Sequence, residues 1–270
     1  MYQLQRPSCP PIANIFTHNL LFYSMYSESH CHLGDMTYED LTEAEKKGFK
    51  LLLTSGIDLP SSKQAIETAH RHPIAKACIG VHPWYADEYN NSVRDEFLVL
   101  AEDPECVAVS EIGLDFMGRM THEWVREETF VAPKIQYETL DAQLGLAREL
   151  SLPVLVHDRA PKMELLDLLE RSGNTNTGIA IHGFSKDLEY ARRCVDNGIY
   201  LSIGLRTIQS AEPGFIRALK ETPMEYLLTE TDSSNPEGVH TVCKLIAEVK
   251  DLTQEEIGKI TTENLMRLIA

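Results

Sequence analysis

Short apolar runs alternate with longer amphipathic stretches along this chain. The runs Leu51-Leu-Leu-Thr54, Ala77-Cys-Ile-Gly-Val81, Val107-Ala-Val-Ser110, Pro153-Val-Leu-Val156, Gly178-Ile-Ala-Ile181, Ile199-Tyr-Leu-Ser-Ile203 and Tyr226-Leu-Leu-Thr-Glu230 each predict a strand, and a first strand ends near Glu28–Ser29. Most of them are continuous rather than alternating, the pattern of parallel strands covered on both faces. Helical spacing fills the gaps. Leu140, Leu144, Ala147 and Leu150 share one face before Pro153, and Leu165, Leu166, Leu168 and Leu169 belong to the next helix. Leu188, Ala191 and Val195 form a face that ends at Gly198, a residue suited to stopping a helix. Thr253 and Glu256 have the spacing of a capping box, followed by an apolar stripe of Ile257, Ile260 and Leu268.

About eight strand–helix units in 270 residues predict an α/β fold, a single (β/α)8 TIM barrel. A doubly wound open sheet is the competing architecture. It loses ground because no glycine-rich phosphate loop follows the first strand. Residues 1–24 carry Pro7, Pro10 and Pro11 and lack the strand–helix rhythm, so they read as an N-terminal extension to a barrel domain at 25–270. Met25 is a candidate alternative start. The Met117–Lys134 connection is longer and more charged than the others, as functional insertions usually are.

With 43% hydrophobic and 24% charged residues the chain can bury a sizeable core, which excludes disorder and coiled coil as global readings. The net charge of −16 repels nucleic-acid backbone and anionic membrane at long range, so phosphate chemistry here needs a local positive source such as bound metal ions. Six scattered cysteines without a CxxC pair suggest reduced thiols and a cytoplasmic protein. The most apolar N-terminal segment, residues 15–23, is interrupted by Thr17, His18 and Asn19, so neither a signal peptide nor a membrane partner is expected. No stable protein partner is inferred.

The chemistry-bearing residues share one placement. His30 and His32 follow the first strand, His82 the third, Glu111 the fourth, His157 the fifth, His182 the sixth and Asp232 the eighth. A parallel barrel turns all those strand ends to one mouth. His30 and His32, two apart on a strand, point to the same face and can share a cation. A carboxylate such as Glu111 has two oxygens and can bridge two cations. Taken together, these histidines and carboxylates match the needs of a binuclear hydrolytic site.

The motifs also resemble those of a known family, the TatD-related deoxyribonucleases, a branch of the amidohydrolase-like metal-dependent hydrolases. The matching stretches are Ser29-His-Cys-His-Leu33, Gly80-Val-His-Pro83, Ser110-Glu-Ile-Gly-Leu-Asp115, Leu152-Pro-Val-Leu-Val-His157, Ile181-His-Gly-Phe-Ser185, Leu201-Ser-Ile-Gly204, Leu228-Thr-Glu-Thr-Asp232 and Thr262-Glu-Asn264. They occur in the family's order over roughly residues 25–270. The resemblance implies two divalent ions, one held by His30, His32, Glu111 and Asp232, the other by Glu111, His157 and His182. It places His82 near the substrate phosphate and Arg159 beside the site, where a guanidinium can grip an anion bidentately. Asp232 would orient the attacking water and take its proton.

Glu28 stands where the family usually has Asp, Gly183 replaces a common Cys, and the loop after Asp232 is short. The function expected is deoxyribonuclease, a two-metal phosphodiesterase acting on DNA or another phosphodiester. The alternatives are an amide or ester hydrolase using the same site and a non-catalytic binding barrel. The ions are drawn from Mg, Zn, Mn, Fe, Co and Ni. The imidazoles suit the transition metals and Zn, while the family is commonly regarded as Mg-dependent.

Overall fold

A computed structural model of the chain describes residues 26–120, 125–127 and 129–270. The expected N-terminal extension and Met25 lie outside the described residues, as does part of the connection after Met117. Eight strands alternate with helices in the predicted order. They are β1 (Tyr26–Cys31), β2 (Phe49–Ser55), β3 (Ala75–Ile79), β4 (Cys106–Asp115), β5 (Val154–Arg159), β6 (Ile179–His182), β7 (Tyr200–Gly204) and β8 (Leu227–Glu230). All neighbours pair in parallel, in sequential order, which is barrel connectivity rather than a doubly wound sheet. Between and after them run α1 (Tyr38–Lys46), α2 (Leu59–Ala69), α3 (Asn91–Leu100), α4 (Pro133–Leu150), α5 (Glu164–Ser172), α6 (Leu188–Asp196), α7 (Leu205–Gln209), α8 (Pro213–Glu221), α9 (Gly238–Lys250) and α10 (Gln254–Leu268).

The two faces of the strands bury different partners. Leu52, Val109, Val154, Val156, Ile179 and Ile181 belong to a cluster that includes Leu140, Leu144, Leu165 and Ala191 of the surrounding helices. Their strand neighbours Leu51, Leu53, Cys78, Ala108, Leu155, Ala180 and Leu228 instead cluster with Leu265 and Leu268 of α10. That helix starts with the expected capping box, in which Thr253 accepts from the backbone N–H of Glu256. Burial on both faces explains why the strand sequences are continuously apolar.

One boundary differs from the sequence expectation. The apolar run at Val107–Ser110 predicts that β4 ends before Glu111, but the strand continues to Asp115. Its polar end is held by pairing: Gly113, Leu114 and Asp115 lie opposite His157, Asp158 and Arg159. A Cβ on Gly113, at φ +150, would stand 2.0 Å from the carbonyl oxygen of His157. Only glycine allows that approach of β4 to β5, and it brings Glu111 and Asp115 up to His157.

The barrel closes between β8 and β1 largely through side chains. Thr229 Oγ1 donates to Ser27 O (3.0 Å) and Ser29 Oγ donates to Thr229 O (3.1 Å). At the mouth the seam becomes backbone again, with Asp232 N donating to His30 O (3.1 Å) and His32 N to Ser233 O (3.0 Å). Glu28, in place of the family's Asp, reaches across it: its Oε1 accepts from Thr231 N (2.9 Å) and His30 N (3.2 Å). The closure therefore presses the two histidines of the HxH pair against Asp232.

Candidate metal centre

Glu111 stands at the middle of the mouth with its two oxygens facing two different groups of imidazoles. Oε1 lies 2.7 Å from His182 Nε2, 2.9 Å from His157 Nδ1 and 3.4 Å from His82 Nε2. Oε2 lies 3.3 Å from His30 Nε2 and 3.9 Å from His32 Nε2. Asp232 Oδ1 completes the second group, 3.4 Å from His32 Nε2 and 3.7 Å from His30 Nε2. Every residue singled out in the sequence thus converges here. Arg159 joins from the end of β5. It lines a cleft of about 130 Å³, open at its mouth, together with His157, His182, Ser185, Arg206, Thr207 and Asp232.

The far nitrogen of four of the five rings is hydrogen-bonded, which decides what the near nitrogen offers, while His182 Nδ1 makes no hydrogen bond. His32 Nδ1 donates to Ser55 O (3.0 Å) and His157 Nε2 donates to the carboxylate of Asp115 (3.1 Å), so His32 Nε2 and His157 Nδ1 are left for the centre. His182 Nδ1 faces Glu230 Oε1 at 3.4 Å, and His30 Nδ1 meets Ser55 Oγ at 3.2 Å. His82 is arranged the opposite way. Its Nδ1 accepts from the backbone N–H of Trp84 (3.1 Å), so the neutral ring carries its proton on Nε2 and presents a donor. His82 is therefore unlike the other four, although it stands as near to Glu111 as a ligand would.

The electrostatics follow from packing five imidazoles around one buried carboxylate. Burial alone would raise the Glu111 carboxyl, but His82, His182 and His30 outweigh it and hold it well below the usual range. Burial would lower His182, yet Glu111 and Glu230 raise it well above normal; Asp115 and Glu111 do the same for His157 more mildly. His30 is lowered by its complete burial and by the neighbouring His182, and burial takes His82 down to about 4.

The donor set fits divalent cations. His30 Nε2 is fully buried, points at the centre and has no hydrogen-bond partner, an arrangement that is costly unless a cation takes the lone pair. The ligand-type atoms of His30, His32 and Asp232 fall within 4.8 Å of one another, as do those of His30, Glu111 and His182, and those of His82, Glu111 and His157. Imidazoles together with carboxylates form a donor set that suits zinc and the divalent transition metals.

Sequence reasoning gave no role to three residues behind the centre. Asp115 and Glu230 back His157 and His182, and Ser55 holds both His30 and His32. Asp115 and Glu230 lie inside the motifs that carry the resemblance, so their presence there is the one available signal. Ser55 had none, because its register against β1 is a product of folding.

Comparisons with known proteins place the chain in a family. A sequence profile described as TatD related DNase matches residues 28–270, which span all the strand-end residues above. The chain is 30% identical over 262 residues to the uncharacterized metal-dependent hydrolase YabD of Bacillus subtilis, covering 90% of this chain and 98% of that one. It is 32% identical over 187 residues to the 3'-5' ssDNA/RNA exonuclease TatD of Salmonella typhimurium, covering 69% of this chain and 68% of that one. Among solved structures, the TatD homologue YJJV of Escherichia coli shares the fold with a TM-score of 0.76 at 23% identity, covering 91% of this chain and 98% of that one. With a family profile over nearly the whole described barrel and a metal-dependent hydrolase matched over 98% of its length, the chain belongs to the TatD-related DNases and is a metal-dependent hydrolase.

Proposed function

We propose that the protein is a two-metal phosphodiesterase that shortens single-stranded DNA or RNA from its 3′ end. The observation that carries this reading is the division of Glu111, with one oxygen facing His157 and His182 and the other facing His30 and His32. One ion would be held by His30, His32, Glu111 and Asp232, and a second by Glu111, His157 and His182. Bound there, the ions supply Lewis acidity and positive charge against the substrate phosphate. The imidazole-rich set favours Zn, Mn, Fe, Co or Ni over Mg. The preference for a single strand and a 3′ end rests on the Salmonella relative, whose name states that activity.

The chain's own groups divide the remaining work. Asp232 is ionised and its side chain is 37% exposed, so it reaches the cleft, where it orients the attacking water and accepts its proton. His82 donates from Nε2 to a nonbridging phosphate oxygen. Arg159, on the cleft wall, grips the phosphate through its guanidinium. These local donors and the ions offset the overall charge of −16. That same acidity favours a second reading, an amide or ester hydrolase with the same residues in the same roles. The five described free cysteines are all buried and suit a reducing compartment, so we assign the protein to the cytoplasm.

A reconstitution panel separates the readings. Metal-stripped protein is given each divalent ion in turn and then 3′-labelled single strands, duplexes, simple phosphate diesters, esters and amides. Metal-dependent release of label from single strands is the expected result. Turnover of esters or amides alone would transfer the assignment to the second reading.

A further inference from the structure

Asp115 ends β4 with no exposed surface, and three N–H donors converge on its carboxylate. Oδ2 accepts from His157 Nε2 (3.1 Å) and from the indole Nε1 of Trp84 (2.9 Å), while Oδ1 accepts from Met117 N (2.8 Å). Arg159 Nη1 lies 4.0 Å from Oδ2. The backbone of Asp115 is clamped as well: Gln136 of α4 accepts from Asp115 N (2.8 Å) and donates to Asp115 O (2.9 Å). Asp115 is thus held through both its backbone and its carboxylate.

Two routes lead from this carboxylate into the centre. The first is direct, since the bond to His157 Nε2 commits that proton and turns Nδ1 toward Glu111. The second runs through Trp84. Its ring sits edge-on to His82 with centroids 4.4 Å apart, and its backbone N–H fills His82 Nδ1. Fixing the indole fixes the imidazole that presents Nε2–H. We propose that Asp115 is the positioning residue of the centre, holding His157 as a metal ligand through Nδ1 and, by way of Trp84, His82 as a hydrogen-bond donor to substrate. This rests on the two-metal reading above.

An amide cannot replace this carboxylate. If the oxygen of Asn takes the place of Oδ2, its NH2 group meets Met117 N–H. If it is turned over, the NH2 group meets both His157 Nε2–H and the indole N–H. Donor faces donor either way.

The test uses Asp115→Asn and Trp84→Phe in the full chain. Competition against a chromophoric chelator reads zinc affinity, and long-range ¹⁵N–¹H spectra of the zinc-loaded protein read which nitrogen of His157 carries the proton. Asp115→Asn is expected to weaken zinc binding about 10–100-fold, the usual effect of losing such a backing group, and to disturb the Nε2–H signature of His157. Trp84→Phe keeps a ring but loses the N–H, so it should keep wild-type zinc affinity and lose kcat with metal saturating. A folded Asp115→Asn with wild-type affinity and an unchanged His157 spectrum overturns the proposal, as does wild-type kcat in Trp84→Phe. If Asp115→Asn fails to fold, the unsubstituted chain decides: a His157 proton on Nε2 supports the assignment and one on Nδ1 overturns it. A wild-type chain that takes up neither zinc nor any other divalent ion would instead defeat the two-metal reading itself.

Discussion

Replacing Asp232 by Asn tests the assignment of the base with little disturbance elsewhere. Asp232 has φ +52, a left-handed conformation in which Asn is as comfortable as Asp. Its backbone bond to His30 O involves no side chain and survives the change. Burial alone would raise the Asp232 carboxyl, but the hydrogen bond from His32 and the neighbouring His182 and His30 hold it below the usual carboxylate range. It is therefore ionised at neutral pH and free to take a proton, which an amide cannot do. Loss of a general base costs on the order of 10²-fold in kcat, or about 2.7 kcal/mol in the barrier. Asp232 also faces His30 and His32, so weaker metal binding must be removed from the comparison. Single-turnover cleavage of a 3′-labelled oligonucleotide, measured as added metal is raised to saturation, does this. The Asp232→Asn protein should plateau roughly 10²-fold below wild type. Recovery of the wild-type rate in excess metal would show Asp232 to be a replaceable ligand and would require another base.

Arg159→Ala should retain its metal and lose about 1.5–3 kcal/mol of substrate or transition-state binding, the value of a charge-assisted hydrogen bond; unchanged steady-state kinetics would reduce Arg159 to a surface neighbour of Asp115. A chain beginning at Met25 should keep both metal and turnover, since residues 1–24 supply none of the candidate ligands, and a folded, metal-loaded but inactive truncation would refute this. Metal-free protein should lose thermal stability as pH rises above about 6.5. In the fold, carboxylates outweigh burial and raise His32, His157 and His182, so their stabilisation is full below the unfolded value and is lost as they deprotonate. His30 and His82 are lowered and titrate below that window. Calorimetry of stripped protein that shows a rising Tm across this range would contradict the assignment.

The strand ends were legible because a parallel barrel converts sequence position into spatial position: a polar residue after each apolar run must reach the mouth. His30, His32, Glu111, His157, His182 and Asp232 could be singled out on that basis, with the resemblance adding their division between two ions. Details that depend on register were not legible. Glu111 lies inside β4 because the strand keeps pairing with β5 through the close approach at Gly113, a contact invisible to periodicity. The difference between His82 and the other histidines comes from one backbone N–H two residues along, at a turn whose geometry the sequence does not display. Glu28 reads as a departure in the sequence, while in the fold its longer side chain reaches Thr231 across the closing seam.

The central claim is that Glu111 joins two cations in one site, and metal content per chain tests it most directly. Elemental analysis of wild-type protein and Glu111→Ala, each reconstituted and freed of loosely bound ions, gives the answer. About two equivalents in wild type and loss from both positions in Glu111→Ala is the expected result, because Oε1 and Oε2 face different groups of histidines. Two full equivalents retained in Glu111→Ala would contradict the bridge and the two-metal account built on it.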